Sequence, residues 1–232
     1  VTIFLFIMGM ILCKGRHKWW MLAAIIFAVL LAWGRHFMPF TEFCFNNLPM
    51  YNKFRTVSMI LIVLQVLLPM LGFFVLDRII KDTYEKSKVL KAALVSFALT
   101  AGFCLIAMMV PAIAGTYMTE FDANLVSGMF GISNQELMKY GVDVRAYTSA
   151  VAEHRAALMT SDAFRSFFLI LMAAALILLP YYVRNLADLK WRKYLAGGVI
   201  LIVLFDLWSV GKRYLNEDNF VEKAQFEAIY NA

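Results

Sequence analysis

Apolar residues form six blocks along the chain, separated by short polar stretches. The blocks cover residues 1–13, 19–33, 59–76, 92–114, 167–183 and 195–210. A helix that crosses a bilayer needs roughly 20 mostly apolar residues. The pattern therefore predicts an all-α fold, a polytopic integral membrane helix bundle with about six transmembrane segments over residues 1–210.

Composition agrees with a membrane location. Hydrophobic residues make up 62% of the chain, charged residues 16%, and the mean hydropathy is +0.71. A soluble domain is about half apolar and about a quarter charged. The apolar excess therefore indicates a protein with almost no soluble core.

The first block, residues 1–13, is shorter than a full span. A signal peptide would carry a basic segment before this block and a small-residue cleavage site after it, and neither is present. We interpret the block as the cut end of a longer helix. Residues 211–232 are polar and stop without an evident domain end, so the chain is expected to be a fragment at both ends.

The basic residues indicate an orientation. Connections 14–18, 77–91 and 184–194 hold twelve of the 22 Lys and Arg residues in 31 positions, whereas the other connections hold ten in 99. Because Lys and Arg accumulate in cytoplasmic loops, these three connections are predicted to be cytoplasmic. The net charge of +6 is then largely a topology signal, and no nucleic-acid partner is expected.

The extracytoplasmic loop 115–166 is predicted to be partly helical. Ser133 to Glu136 has the form of a capping box. Residues 146–166 are typical of a surface helix, and Thr160 to Asp162 offer an N-cap for the fifth span.

Motifs of soluble enzymes are missing. The sequence has no phosphate-binding glycine loop, no Cys-x-x-Cys and no His-Glu-x-x-His. The three histidines fall in three different connections, so no shared metal site is expected: His17, His36 and His154. The three cysteines match no metal-site spacing and are interpreted as small packing residues: Cys13, Cys44 and Cys104.

One candidate site lies at the outer interface, just before the third span. It combines two cations, an amide and a phenol with an arginine from the preceding segment: Tyr51, Asn52, Lys53, Arg55 and Arg35. Arginine presents a planar fork suited to phosphate oxygens, and lysine adds a point charge. The residues either anchor an anionic lipid head group or sugar phosphate, or only contact lipid at the interface.

Two further groups are candidates for structural or functional roles at the outer rim. A carboxylate near the membrane is costly unless it is paired or hydrated. Asp206 therefore either pairs with Lys212 or Arg213, or marks the end of the sixth span. Asp162 and Arg165 either line an outer cavity or belong to a solvated helix face.

Two of these stretches resemble the YfhO family of bacterial membrane proteins. They are Leu48–Arg55 (LPMYNKFR) and Asp206–Asn216 (DLWSVGKRYLN), supported by Trp33-Gly34-Arg35 and by residues 161–166 (SDAFRS). The resemblance covers roughly residues 32–223, and the family is similar to GT-C glycosyltransferases.

This resemblance implies an enzyme of the bacterial inner membrane. It would transfer a sugar from a polyprenyl-phosphate carrier to a cell-envelope glycan acceptor on the outer face. In GT-C enzymes the catalytic carboxylate lies in a first outer loop, which nothing here matches. The resemblance therefore implies that residues 1–210 are the second half of a larger membrane domain. It also implies that residues 211–232 are an extracytoplasmic tail leading to a missing soluble domain. The expected contribution of this chain is part of the donor-lipid site, with Arg55 first, then Lys53 and Arg35. No cofactor is expected beyond the lipid-linked sugar.

Two other functions remain open: a transporter or flippase for a lipid or polysaccharide precursor, and a non-catalytic membrane scaffold. A transporter would carry polar groups at mid-membrane and discontinuous helices. Here the span centres are nearly free of charge, which favours chemistry or binding at the outer surface.

Overall fold

The computed structural model shows a helical protein. It describes residues 1–47, 57–111, 115, 117–118, 122, 124, 128, 131, 139, 143–183, 186 and 188–214. No strand occurs among these residues. Their α-helices are α1 (Thr2–Leu12), α2 (His17–Ala32), α3 (Met38–Asn47), α4 (Ile62–Ile80), α5 (Lys86–Met109), α6 (Val144–Tyr182) and α7 (Leu189–Tyr214). Short 3-10 helices cover Gly34–Phe37 and Val57–Leu61.

Four helices in the described part of the chain are long and apolar enough to cross a membrane. They are Met59–Ile80, Lys86–Met109, Arg145–Tyr182 and Leu189–Arg213. At 1.5 Å per residue, the shortest of them, with 22 residues, is about 33 Å long, against about 30 Å for the hydrocarbon core. Helices α1 and α2 have 11 and 16 residues and are shorter than that thickness.

Helix α6 differs from the sequence-based prediction. Its 39 residues are continuous, so the helix start expected at residues 160–162 is wrong. The Thr160 hydroxyl donates to the Ala156 carbonyl at 3.0 Å, a bond within the helix and not a cap. The predicted capping box at Ser133–Glu136 lies outside the described residues.

Helix α3 lies in a stretch that the sequence predicted as an outer loop. The chain turns at Gly34, which has a φ of +49° and so adopts a conformation that glycine tolerates best. The Thr41 hydroxyl donates to the Gly34 carbonyl at 2.7 Å. Pro39 lies in the first turn of α3, where its missing N–H costs nothing.

The described helices belong to two compact units, residues 1–93 with 173–232, and residues 94–172. In the first unit, α1 packs chiefly against α4. Phe4, Leu5 and Met8 are buried on α1, and Leu71 and Val75 on α4. These side chains form the core of the first unit.

The second unit contains an ion pair and an aromatic contact. The Arg155 guanidinium donates to both carboxylate oxygens of Asp122, at 2.7 and 2.8 Å, and to the Tyr117 carbonyl at 2.8 Å. The ring centroids of Phe97 and Phe167 are 6.1 Å apart. The bidentate contact ties Asp122 and Tyr117 to helix α6.

Candidate functional site

Most of the candidate outer site lies outside the described residues. Tyr51, Asn52, Lys53 and Arg55 belong to the stretch 48–56, which the structure does not describe. The backbone of Arg35 lies in the 3-10 helix Gly34–Phe37, directly after α2, and its side chain is not described. The role of these residues stays a prediction.

Asp206 and Arg213 both lie on α7 in the first unit. Helix α7 continues to Tyr214, so Asp206 lies about two turns before its end and does not end it. Asp206 is half-buried, and the Ser209 hydroxyl donates to its backbone carbonyl at 2.9 Å. Arg213 is exposed in the last turn of the helix.

Asp162 and Arg165 lie together on α6 in the second unit. The Arg165 Nη2 and the Asp162 Oδ1 are 3.9 Å apart, and both side chains are half-buried. The two residues therefore form a loose ion pair between successive turns of one helix.

The structure brings the three basic connections to one end of the first unit. The Tyr84 hydroxyl lies 3.8 Å from the Cys13 Sγ, which joins the connection after α4 to the end of α1. The Lys86 ammonium donates to the Tyr181 carbonyl at 2.6 Å. A salt bridge from Arg192 to Asp82 adds the start of α7. We call this region, formed by the described residues of connections 14–18, 77–91 and 184–194, the basic end.

Arg192 is the most enclosed cation of these contacts. Its side chain is 10% exposed, and its Nη1 lies 2.7 Å from the Asp82 Oδ1. It also donates to the Ile79 carbonyl at 3.3 Å and lies over the Tyr181 ring, 5.2 Å from the centroid. One guanidinium thus joins the end of α4, the end of α6 and the start of α7.

Two open hollows adjoin each other at the basic end. One has a volume of about 490 Å³ and the other about 540 Å³, and Lys14 and Arg78 line both. Volumes of this size are typical of sites for small ligands. The Arg78 guanidinium lies over the Phe74 ring, 4.8 Å from its centroid, which holds the cation at the wall of the first hollow.

Tyr84 borders the second hollow as a neutral phenol. Burial raises the pKa of Tyr84, and the hydrogen bond with Cys13 raises it further. Tyr84 therefore adds no negative charge beside Lys14 and Arg78 at neutral pH. Within the described ranges, no group of three His, Cys, Asp or Glu residues is placed to hold a metal ion.

The chain matches no family model, no curated protein and no solved structure. The candidate site at the basic end is therefore assigned from the charges, burial and contacts of the chain's own residues. Sequence patterning identified the three basic connections separately, but the two hollows arise only where α1, α2, α4 and α5 meet.

Proposed function

We propose that the chain is a multi-pass protein of the bacterial inner membrane with six membrane segments. Connections 14–18, 77–91 and 184–194 face the cytoplasm in this proposal, and residues 34–58, 115–166 and 211–232 face the outside. Two observations support it: four helices are of spanning length, and contacts gather the basic connections at one end of the first unit. That grouping agrees with the bias of Lys and Arg toward the cytoplasm.

The proposed activity is transfer of a sugar from a polyprenyl-phosphate carrier to a cell-envelope glycan on the outer face. One observation carries this choice over a transporter. Charged residues in Met59–Ile80, Lys86–Met109 and Leu189–Arg213 lie toward the helix ends, and those in Arg145–Tyr182 all precede residue 166. Residues 59–76, 92–109, 166–182 and 194–205 contain none. Transport pathways are marked by ionisable groups at membrane depth. The charge pattern thus favours binding and chemistry at the membrane surface.

In this proposal, the outer cations hold the phosphate that leaves when the sugar is transferred. Negative charge develops on that phosphate in the transition state, and fixed positive charge stabilises it. Arg55 is assigned the main contact, with Lys53 and Arg35 beside it. Asn52 and Tyr51 supply neutral hydrogen bonds. The assignment is supported by the resemblance of Leu48–Arg55 to the YfhO family.

The test is mass spectrometry of lipids that stay bound to the gently purified protein, for wild type and Arg55→Ala. We expect wild type to retain a polyprenyl phosphate or its sugar ester. The amount of this lipid bound to Arg55→Ala should be lower by about tenfold or more. The loss follows because a hydrogen bond to a charged group contributes about 1.5–3 kcal/mol.

Arg16→Ala is the matched control, because Arg16 is exposed at the basic end. The Arg16→Ala protein should retain the lipid as wild type does. Equal retention by wild type and Arg55→Ala would remove Arg55 from the site. Only bulk phospholipid in every sample would contradict the glycosyltransferase proposal and favour a scaffold or a transporter.

A further inference from the structure

The two hollows at the basic end are lined by an excess of positive charge. Five Lys and Arg side chains contribute, together with His17: Lys14, Lys18, Arg78, Lys88 and Lys91. Among the described lining residues, Glu85 is the one carboxylate, and it lies 3.0 Å from Lys88. Cations that lie close together repel one another. An anion bound between them would offset this electrostatic repulsion, which no protein group among the described lining residues offsets fully.

The neighbouring carboxylates are already paired with other cations. Asp77 lies 2.7 Å from Lys81, and Asp82 lies 2.7 Å from Arg192. Within the described part of the chain, no carboxylate lies within 4 Å of Lys14 or Arg78. These two cations line both hollows and are the natural centre of an anion site.

The walls of the hollows are apolar. The first is lined by Trp20, Met70 and Phe74, which are 51%, 54% and 48% exposed. The second includes Ile11 and Leu12 in its lining, together with its cations. A small hydrophilic anion would leave these surfaces uncovered, whereas an amphiphile would cover them. The combination of cations and apolar side chains in one lining fits one end of a lipid molecule.

We propose that the basic end binds an anionic phospholipid, with its phosphate between Lys14 and Arg78 and an acyl chain along Phe74, Met70 and Trp20. Basic pockets between helices at the cytoplasmic side are suited to such head groups. Arg78 presents a fork for phosphate oxygens. The site is separate from the outer residues assigned to the sugar donor and does not depend on that function.

The test compares phosphatidylglycerol with phosphatidylcholine in competition for the detergent-purified protein, measured by native mass spectrometry. We expect wild type to prefer phosphatidylglycerol. In the double variant Lys14→Gln with Arg78→Gln, the preference for phosphatidylglycerol should fall by about 30-fold. Each cation near a lipid surface contributes about a factor of five to the affinity for an anionic lipid. The swap Lys14→Arg with Arg78→Lys keeps the charge and should keep most of the preference.

The matched control is Lys190→Gln with Lys193→Gln. Both lysines are exposed at the start of α7, near the basic end but outside the lining of the hollows, and their loss should change the preference little. An equal loss in both double variants would overturn the proposal, because it would indicate diffuse attraction to surface charge. An unchanged preference in Lys14→Gln with Arg78→Gln would overturn it as well.

Discussion

Valine in place of Gly9 or Gly72 is expected to destabilise the first unit by about 1–3 kcal/mol at each position. A Cβ atom on Gly9 would lie 2.8 Å from the Leu71 Cγ and 3.2 Å from the Leu71 carbonyl oxygen. A Cβ atom on Gly72 would lie 2.9 Å from the Leu5 Cβ. Small residues let membrane helices approach closely, so larger ones here must push α1 and α4 apart.

The measurement is unfolding in mixed micelles with increasing dodecyl sulfate, followed by tryptophan fluorescence. Gly197→Val is the matched control, because a Cβ on Gly197 of α7 meets no atom within 4 Å. Its midpoint should equal or slightly exceed that of wild type, since valine is a better helix former than glycine. A Gly9→Val protein as stable as the control would show that the α1–α4 contact is not tight.

Arg192→Met is expected to lower stability by about 2 kcal/mol. The side chain is 10% exposed and donates both to Asp82 and to the Ile79 carbonyl. Hydrogen bonds made by charged groups contribute about 1.5–3 kcal/mol each when a partner is left unsatisfied. Part of the loss is recovered, because Asp82 is 60% exposed and becomes hydrated.

Two variants separate the causes. Asp82→Asn removes only the ion pair and should cost no more than about 1 kcal/mol, as for other exposed pairs. Asparagine also tolerates the positive φ of 53° at this position. Lys193→Met removes an exposed cation from the same turn and should change little. If Arg192→Met is as stable as Lys193→Met, Arg192 does not join the three helices.

The helical character and the long apolar segments could be predicted from the sequence. The uncharged stretches 92–109 and 166–182 lie inside α5 and α6, because long apolar runs need internal backbone hydrogen bonds in a bilayer. Helix ends were less predictable. Lys86 to Lys91 belong to α5 and Leu189 to Tyr194 belong to α7, since a polar residue can continue a helix beyond the apolar region.

The sequence predicts no helix at α3 and predicts a helix start inside α6, each for an identifiable reason. Helix α3 carries no clear apolar period, and its signals were only Pro39 in the first turn and the Thr41 contact with Gly34. The unbroken α6 was misjudged because Thr160, Ser161 and Asp162 are good capping residues. In the structure, Thr160 bonds to the preceding turn instead, and local capping preference is overridden.

The candidate sites also divide into features that the sequence predicts and features that only the structure shows. Composition identified the basic connections, since the density of Lys and Arg is a property of each segment alone. The hollows beside Lys14 and Arg78 depend on residues more than 60 positions apart in the sequence, so a single sequence gives no signal for them. The outer residues Arg55 and Lys53 rest on the resemblance and on their predicted position.

Substituted-cysteine labelling tests whether the chain is a multi-pass membrane protein whose basic end faces the cytoplasm. Single cysteines at Lys190 and at Glu153, both exposed, would be placed in a chain with Cys13, Cys44 and Cys104 replaced by alanine. Spheroplasts would be treated with a membrane-impermeant maleimide. We predict that Glu153→Cys is labelled at once and Lys190→Cys only after lysis. Labelling of Lys190→Cys in intact spheroplasts would contradict the orientation, and extraction of the protein without detergent would contradict the membrane location itself.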